Sequence, residues 1–154
     1  MRGLQRNAWK GLLVLTLLIG LVGLWALIVG IAEDQSVPLG LTGRSLADLA
    51  AESPDGYRFA DFGVRAGGMG LVLIGSVLAS VVMFAFRPGQ KWAWWVVWAM
   101  PIWAASTVGL ILIIGIAPGQ APPWPMISGI VVGLLSTGLL LVTAPRFLGR
   151  RGDD

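Results

Sequence analysis

Long stretches without a charged residue constrain this sequence more than any other feature. The longest covers the 54 residues 92–145, and two shorter stretches cover the 22 residues 11–32 and the 21 residues 66–86. At 1.5 Å per residue, a 22-residue helix covers roughly 33 Å, which exceeds the roughly 30 Å hydrocarbon core of a bilayer. The sequence therefore predicts helices that span a membrane.

The longest stretch is too long for one span, and a proline-rich segment over residues 118–125 divides it. Proline cannot donate to a helical ladder and glycine is permissive, so this segment indicates a turn. We expect the last helix to end at Pro145. The predicted spans cover residues 11–32, 66–86, 92–117 and 125–144 of a single integral membrane domain, residues 1–154.

The length of the apolar runs also selects the fold class. Runs near 20 residues favour helices over the strands of membrane barrels, which are about ten residues long. The predicted fold is therefore an all-α bundle of four transmembrane helices that run up-down-up-down.

The composition excludes several classes of chemistry. Charged residues make up 12% of the chain, compared with about a quarter in soluble domains. The chain has no cysteine and no histidine, which removes disulfides, thiolate sites and the commonest metal ligand and general base. Ionisable residues, which mark pumps and proton relays, do not occur within a predicted span. We therefore expect neither a catalytic residue nor a metal site.

Basic residues flank the predicted spans unevenly. Eight of the 11 lysines and arginines lie at the termini or between spans 2 and 3, namely Arg2, Arg6, Lys10, Arg87, Lys91, Arg146, Arg150 and Arg151. The opposite side has three arginines among six acidic residues. The positive-inside rule then predicts a multi-pass membrane protein with both termini in the cytoplasm. The basic residues act as juxtamembrane anchors, so we expect no nucleic-acid partner.

The first span has a second interpretation, as a cleaved signal peptide. A basic segment precedes it, and Gly30-Ile31-Ala32 offers small residues for cleavage. Its 22 apolar residues exceed the roughly 7–15 of a signal peptide, which favours a retained span.

The polar segment over residues 33–65 is predicted to face outward. Ser45-Leu-Ala-Asp48 matches a capping box, and Leu46, Leu49 and Ala50 then form one apolar side. This pattern indicates a short amphipathic helix that lies on the membrane surface or on the bundle.

The next helix is predicted to begin at Ser53-Pro54, with serine as the N-cap and proline in the first turn. Arg58 with Asp61, and Asp61 with Arg65, have the spacing of ion pairs along a helix. The carboxylates of this region lack a metal-ligand spacing, so we interpret them as a solvated face. They are Asp48, Glu52, Asp55 and Asp61.

Eight tryptophans are a high count for 154 residues. We predict interfacial anchors at Trp9, Trp92, Trp94, Trp95 and Trp124, since indole rings favour the headgroup level. Lys91 is spaced for cation–π contact with Trp94 and Trp95 and joins this set of anchors.

Trp25 and Trp103 lie too deep for a simple belt and are candidates either for core packing or for ligand contact. Trp98 belongs to the aromatic cluster at the start of the third span, which is either an anchor or a platform for a ligand. Trp25, Trp98 and Trp103 are therefore the candidates for binding an apolar ligand such as a quinone, carotenoid or lipid. Pro101 leaves the Val97 carbonyl without a helical hydrogen-bond partner, so we expect a kink in the third span beside Trp98 and Trp103. Such a kink could shape the helix only, or it could open a pocket beside the two rings.

Small residues four apart predict close helix contacts. The predicted packing positions are Gly75, Ala79, Ala105, Gly109, Gly129 and Gly133. Whether these faces close one bundle or recruit a partner chain stays open, and we favour internal packing.

The run Arg87-x-Gly89-x-Lys91-Trp92-Ala93-Trp94, with Trp98 and Pro101 downstream, resembles a hairpin of small bacterial four-helix membrane proteins. Leu41-Thr42-Gly43, with Pro54 before the second span, is similar too. The resemblance implies a four-helix membrane fold and a location in the bacterial cytoplasmic (inner) membrane, and it implies no activity.

Three hypotheses about function follow. The first is a non-catalytic accessory or scaffold subunit of a bacterial membrane complex, and the alternative is a binder of an apolar small molecule near Pro101. An enzyme or coupled transporter is the third, and only the outer carboxylates favour it. The bilayer is the expected partner in each case, and the identity of any cofactor stays open.

Overall fold

A computed structural model describes residues 2–148, including all their side chains except those of residues 2–6 and Glu33. The chain is helical, and four helices are long and apolar enough to cross a membrane: Asn7–Ala32, Pro54–Phe86, Lys91–Ile114 and Trp124–Leu148. Arg150 and Arg151 lie outside the described residues. The all-helical prediction and the four candidate membrane helices are confirmed.

The helices are named in chain order. They are α1 (Arg2–Val29), α2 (Ser36–Thr42), α3 (Leu46–Glu52), α4 (Pro54–Val81), α5 (Lys91–Val97), α6 (Ala99–Ile114) and α7 (Trp124–Leu148). A 3₁₀ turn over Gly30–Glu33 follows α1, and a π-helical turn over Val82–Phe86 extends α4.

The first helix ends at Val29 and is followed by Gly30. Its φ of 74° lies in the left-handed region, where a side chain is strained and glycine is not. The helix therefore stops near the predicted end of the first span, although it begins earlier, at Arg2.

The third span is interrupted, as the proline in it predicts. The amide of Trp98 donates to the carbonyl of Trp95 at 3.2 Å, a tight turn three residues before Pro101 that separates α5 from α6. The predicted end at residue 117 is wrong, because Gly115 adopts a φ of 91° and α6 stops at Ile114.

The predicted end of the fourth span at Pro145 is wrong. The helix continues through this proline to Leu148, since one proline removes only one bond of the ladder. Burial of Phe147 against Phe86, with ring centroids 4.6 Å apart, favours the additional turn.

The core lies toward the end of the bundle that carries Arg87 and Arg146. α1 packs along α4, α6 packs along α7, and α1 also contacts α7. The π-helical turn buries Val82 and Phe86 in this core. The largest fully buried hydrophobic side chains are Phe86, Phe147, Leu12, Met100, Leu140, Val82 and Val97.

The segment before α4 contains two short helices, although one was predicted. The capping box of α3 is confirmed, because Ser45 Oγ accepts from the Asp48 amide at 3.1 Å, and the Ser45 amide donates back to the Asp48 carboxylate. The unpredicted α2 ends at Thr42 and is capped by Gly43, which adopts the left-handed conformation. The start of α4 is as predicted, with Ser53 Oγ accepting from the Gly56 amide.

Candidate functional site

The tryptophans at the start of the third span separate into buried and exposed members. Trp94 is 4% exposed, and its Nε1 donates to the Leu140 carbonyl at 3.1 Å. Its predicted role as an interfacial anchor is therefore wrong, because α7 supplies a partner inside the bundle. Trp92 and Trp95 point outward, as anchors would.

Trp98 and Trp103 are half-buried and pack against the core. The Trp98 ring meets Trp94 edge to face, with centroids 5.6 Å apart. The buried Nε1 of Trp98 has no hydrogen-bond partner within the described part of the chain. Pro101 beside it is buried and leaves the Val97 carbonyl without its usual helical partner.

Trp25 lies apart from this pair. It stands on α1 with 57% of its surface exposed, so the core-packing interpretation is wrong for this residue. The aromatic contacts between described rings join Trp98 to Trp94 and do not include Trp25. A candidate ligand site therefore centres on Trp98 and Trp103.

A cation–π cluster forms around Trp9 at the basic end of the bundle. The guanidinium of Arg87 lies 4.9 Å from the Trp9 ring centroid, and Lys10 Nζ lies 5.9 Å from it. The predicted cation–π pairs of Lys91 with Trp94 and Trp95 are not among those of the described residues. Trp94 is turned into the core, which removes its ring from the reach of this exposed lysine.

Arg146 ties α7 to the turn that follows α4. Its Nη2 donates to the carbonyl of Arg87 at 2.8 Å, and its guanidinium lies 5.4 Å from the Phe147 ring centroid. The exposed Trp124 marks the opposite end of α7, where its amide donates to Ser36 Oγ at 2.7 Å.

Glycines bring α1 and α4 into backbone contact. A β-carbon added at Gly75 would lie 2.7 Å from the Gly20 nitrogen, and one added at Gly68 would lie 2.7 Å from the Gly23 carbonyl oxygen. Both distances are shorter than real side chains tolerate. Gly75 was predicted as a contact, and the half-buried Ala79 lies one turn beyond it.

The contact between α6 and α7 includes the predicted Gly129 and Gly133 of α7, but on α6 it uses a face other than the predicted one. A β-carbon at Gly129 would lie 3.3 Å from the Ala104 carbonyl oxygen, and one at Gly133 would lie 3.5 Å from the Ala104 β-carbon. Ala105 is exposed and Gly109 faces open space, so neither residue lies in the contact between α6 and α7. One residue turns the face by about 100°, and the spacing of small residues does not fix that rotation.

Arg65 forms a polar clamp with Asp61 at the other end of the bundle. Arg65 Nε donates to Asp61 Oδ2 at 2.8 Å, and Asp61 Oδ1 accepts from the Ile31 amide at 2.8 Å. Arg65 also donates to three carbonyls at the end of α1, those of Leu27, Ile28 and Val29. The ion pair was predicted from its spacing, whereas the bonds to α1 were not.

The second predicted ion pair is wrong. Arg58 contacts Asp55 at 3.7 Å instead of Asp61, because Asp61 turns toward α1 and Arg65. The Arg58 and Asp55 side chains are almost fully exposed, so this pair contributes little to stability.

One face of α4 lacks a partner among the described residues. β-Carbons added at Gly63, Gly67 and Gly70 would meet nothing within 4 Å. Phe59 and Phe62, at the start of the same helix, are 78% and 68% exposed. The spacing of Phe59, Gly63, Gly67 and Gly70 places them on one side of the helix.

Comparison of the chain with protein-family models, with curated proteins and with solved structures gives no match.

Proposed function

We propose that this chain is a polytopic membrane protein that serves as a non-catalytic accessory or scaffold subunit of a bacterial membrane complex. The uncovered face of α4, with Phe59, Gly63, Gly67 and Gly70, carries this proposal. We also propose that the chain is related to small bacterial four-helix membrane proteins and that it lies in the inner membrane.

The energetics of glycine support a partner at this face. Each glycine in a helix interior costs about 1 kcal/mol relative to alanine, and the three open glycines make no internal contact in return. In a membrane, small residues favour association because they allow two helices to approach closely. The expected partner is therefore a transmembrane helix of another subunit.

Site-specific photocrosslinking tests this proposal. A photoreactive side chain at Gly67 should crosslink one defined membrane protein at native expression, and the adduct should be lost in a Gly63→Leu background. A probe at Ile113 on α6, which is 84% exposed, is the matched control for lipid-facing surface. Equal protein adducts at both positions, or adducts that survive Gly63→Leu, would argue against a subunit interface on α4.

We further propose that the four spans run up-down-up-down with both termini in the cytoplasm. Contacts support an antiparallel pair of α1 and α4, since Gly23 lies against Gly68 while Gly20, three residues earlier, lies against Gly75, seven residues later. The chain has no cysteine, so single-cysteine variants report sidedness. Ala51→Cys should react with an impermeant maleimide in intact cells, and Gln90→Cys should react only after lysis.

Trp98 supports the alternative function, a binder of an apolar molecule. A buried donor without an acceptor costs roughly 1–3 kcal/mol in proteins, and Nε1 of Trp98 is such a donor within the described residues. An apolar ligand with a carbonyl oxygen, such as a quinone, would supply the acceptor after the side chains that enclose Nε1 move apart. Trp103 would then contribute ring surface to the same site.

Mass spectrometry of organic extracts, combined with Trp98→Phe, tests the alternative. Phenylalanine keeps a ring but removes the donor, so a stoichiometric ligand should be lost from this variant and retained by Trp92→Phe. A ligand content that is the same in Trp98→Phe and the wild type would contradict this binding mode.

A further inference from the structure

A groove lies along the line where α1 and α4 meet, and its volume is about 190 Å³. Gly20 and Gly75 form its floor, because the two backbones touch there and a β-carbon at Gly20 would meet nothing within 4 Å. The remaining lining residues are Thr16, Leu17, Leu21, Leu24, Val72 and Ser76.

The groove is lined by apolar groups, and its polar groups already have hydrogen-bond partners. Its two hydroxyl groups both donate to carbonyls of their own helices, Thr16 to Leu13 at 2.8 Å and Ser76 to Val72 at 2.7 Å. Leu17 and Leu21 are more than half exposed beside it. An occupant therefore needs apolar surface and no hydrogen-bonding group.

The depth of the groove matches one leaflet of a bilayer. The clamp of Arg65 and Asp61 requires polar surroundings and marks the end of the apolar segment of α4. Val72 and Ser76 follow Arg65 by seven and eleven residues, which places them about 10 and 16 Å further along the helix. Half of the hydrocarbon core is about 15 Å thick, so the groove extends from the inner part of the leaflet next to the clamp to about the midplane of the bilayer.

We propose that this groove binds one acyl chain of a membrane lipid from the leaflet at the Arg65 end. Both walls belong to helices with the composition of membrane spans, so the groove opens toward lipid. An unfilled groove would leave its lining atoms without dispersion partners, and a chain laid along Gly20 and Gly75 restores those contacts. This lipid site is independent of the partner face on α4 and of the site at Trp98.

Filling the groove tests the proposal. A β-carbon at Gly20 meets nothing within 4 Å, so Gly20→Leu places a side chain in the groove without displacing the neighbouring backbone. Gly109→Leu is the matched control, because that glycine also faces open space but lies on α6. Ser76→Leu fills the groove from the α4 side and provides an independent second variant.

The measurement is native mass spectrometry of delipidated protein titrated with dioleoylphosphatidylglycerol in detergent micelles. The wild type and Gly109→Leu should retain one lipid. Gly20→Leu and Ser76→Leu should each weaken its retention by about tenfold, since a few methylene contacts are lost. Phosphatidylcholine with the same chains should behave alike, because the chain rather than the headgroup is recognised.

Three outcomes would overturn the proposal. The first is equal lipid retention by the wild type and both groove variants. The second is a wild type that retains no lipid, and the third is a wild-type dimer that both groove variants dissociate, which would assign the groove to a second copy of the chain. Thermal unfolding of all four proteins in the same detergent distinguishes lost binding from lost folding.

Discussion

Arg65 on α4 caps the C-terminal end of α1, because its Nη1 donates a hydrogen bond to the Ile28 carbonyl oxygen at 2.8 Å. The last carbonyls of a helix have no partner within that helix and carry partial negative charge. Asp61 holds the guanidinium in place from the other side, with 2.8 Å between Nε and Oδ2. One side chain therefore joins two membrane helices where their polar ends meet.

Replacing Arg65 with lysine should weaken the bundle. A single ammonium cannot reach Asp61 and the α1 carbonyls together, since it lacks the planar fork of a guanidinium. We expect Arg65→Lys to lower the free energy of unfolding by about 2 kcal/mol, measured by denaturation in mixed micelles. Arg58→Lys is the control and should change little, because the Arg58 side chain is 83% exposed. Equal effects of the two substitutions would contradict a role for the clamp.

Two glycines of α4 should respond in opposite directions to alanine. Gly75→Ala forces a β-carbon against the Gly20 nitrogen, so we expect a loss of about 2 kcal/mol from overpacking. Gly70→Ala meets nothing within 4 Å and should stabilise the helix by about 0.5–1 kcal/mol, since alanine restricts the unfolded chain. Thermal unfolding in detergent measures both. A neutral Gly75→Ala would mean that α1 and α4 do not touch at this point.

Length and hydropathy predicted the helices correctly because these properties act locally. Membrane spans must satisfy their own backbone, so apolar runs of about 20 residues become helices whatever surrounds them. The start of α4 at Pro54 and the capping box of Ser45 are also local, since each involves residues within one turn.

Residue spacing could not predict which helix faces meet. The spacing of small residues identified Gly75, which lies in the contact between α1 and α4. On α6, however, the residue in contact with α7 is Ala104 and not Ala105, which the same spacing predicts. The burial of Trp94 depends on an acceptor 46 residues away, the Leu140 carbonyl. Likewise, the bonds of Arg65 to α1 join positions far apart in sequence, and no local pattern encodes them.

Two neighbouring tryptophans should differ in their contribution to stability. Trp94→Phe removes the hydrogen bond to the Leu140 carbonyl and leaves unfilled volume in the core, so we expect a loss of about 1–3 kcal/mol. Trp95→Phe should cost much less, because this side chain is 61% exposed. Denaturation of both variants in the same micelles gives the comparison, and equal losses would place Trp94 outside the core.

Asp48 should remain ionised at lower pH than an ordinary aspartate. Hydrogen bonds from the Ser45 side chain and then from its backbone amide hold the pKa of Asp48 below its usual 3.8. Because the folded-state pKa is lowered, the stabilisation from the Asp48 carboxylate is present above pH 3.8 and is lost as the pH falls through the lower value. The bond from the Asp48 amide to Ser45 Oγ does not depend on this titration. An NMR titration of the Asp48 carboxyl carbon in micelles measures this. In Ser45→Ala the pKa should return toward 3.8, whereas Ser53→Ala, which removes the cap of α4 instead, should leave it unchanged. An Asp48 that titrates at its ordinary pKa in the wild type would show that the capping box does not persist in solution.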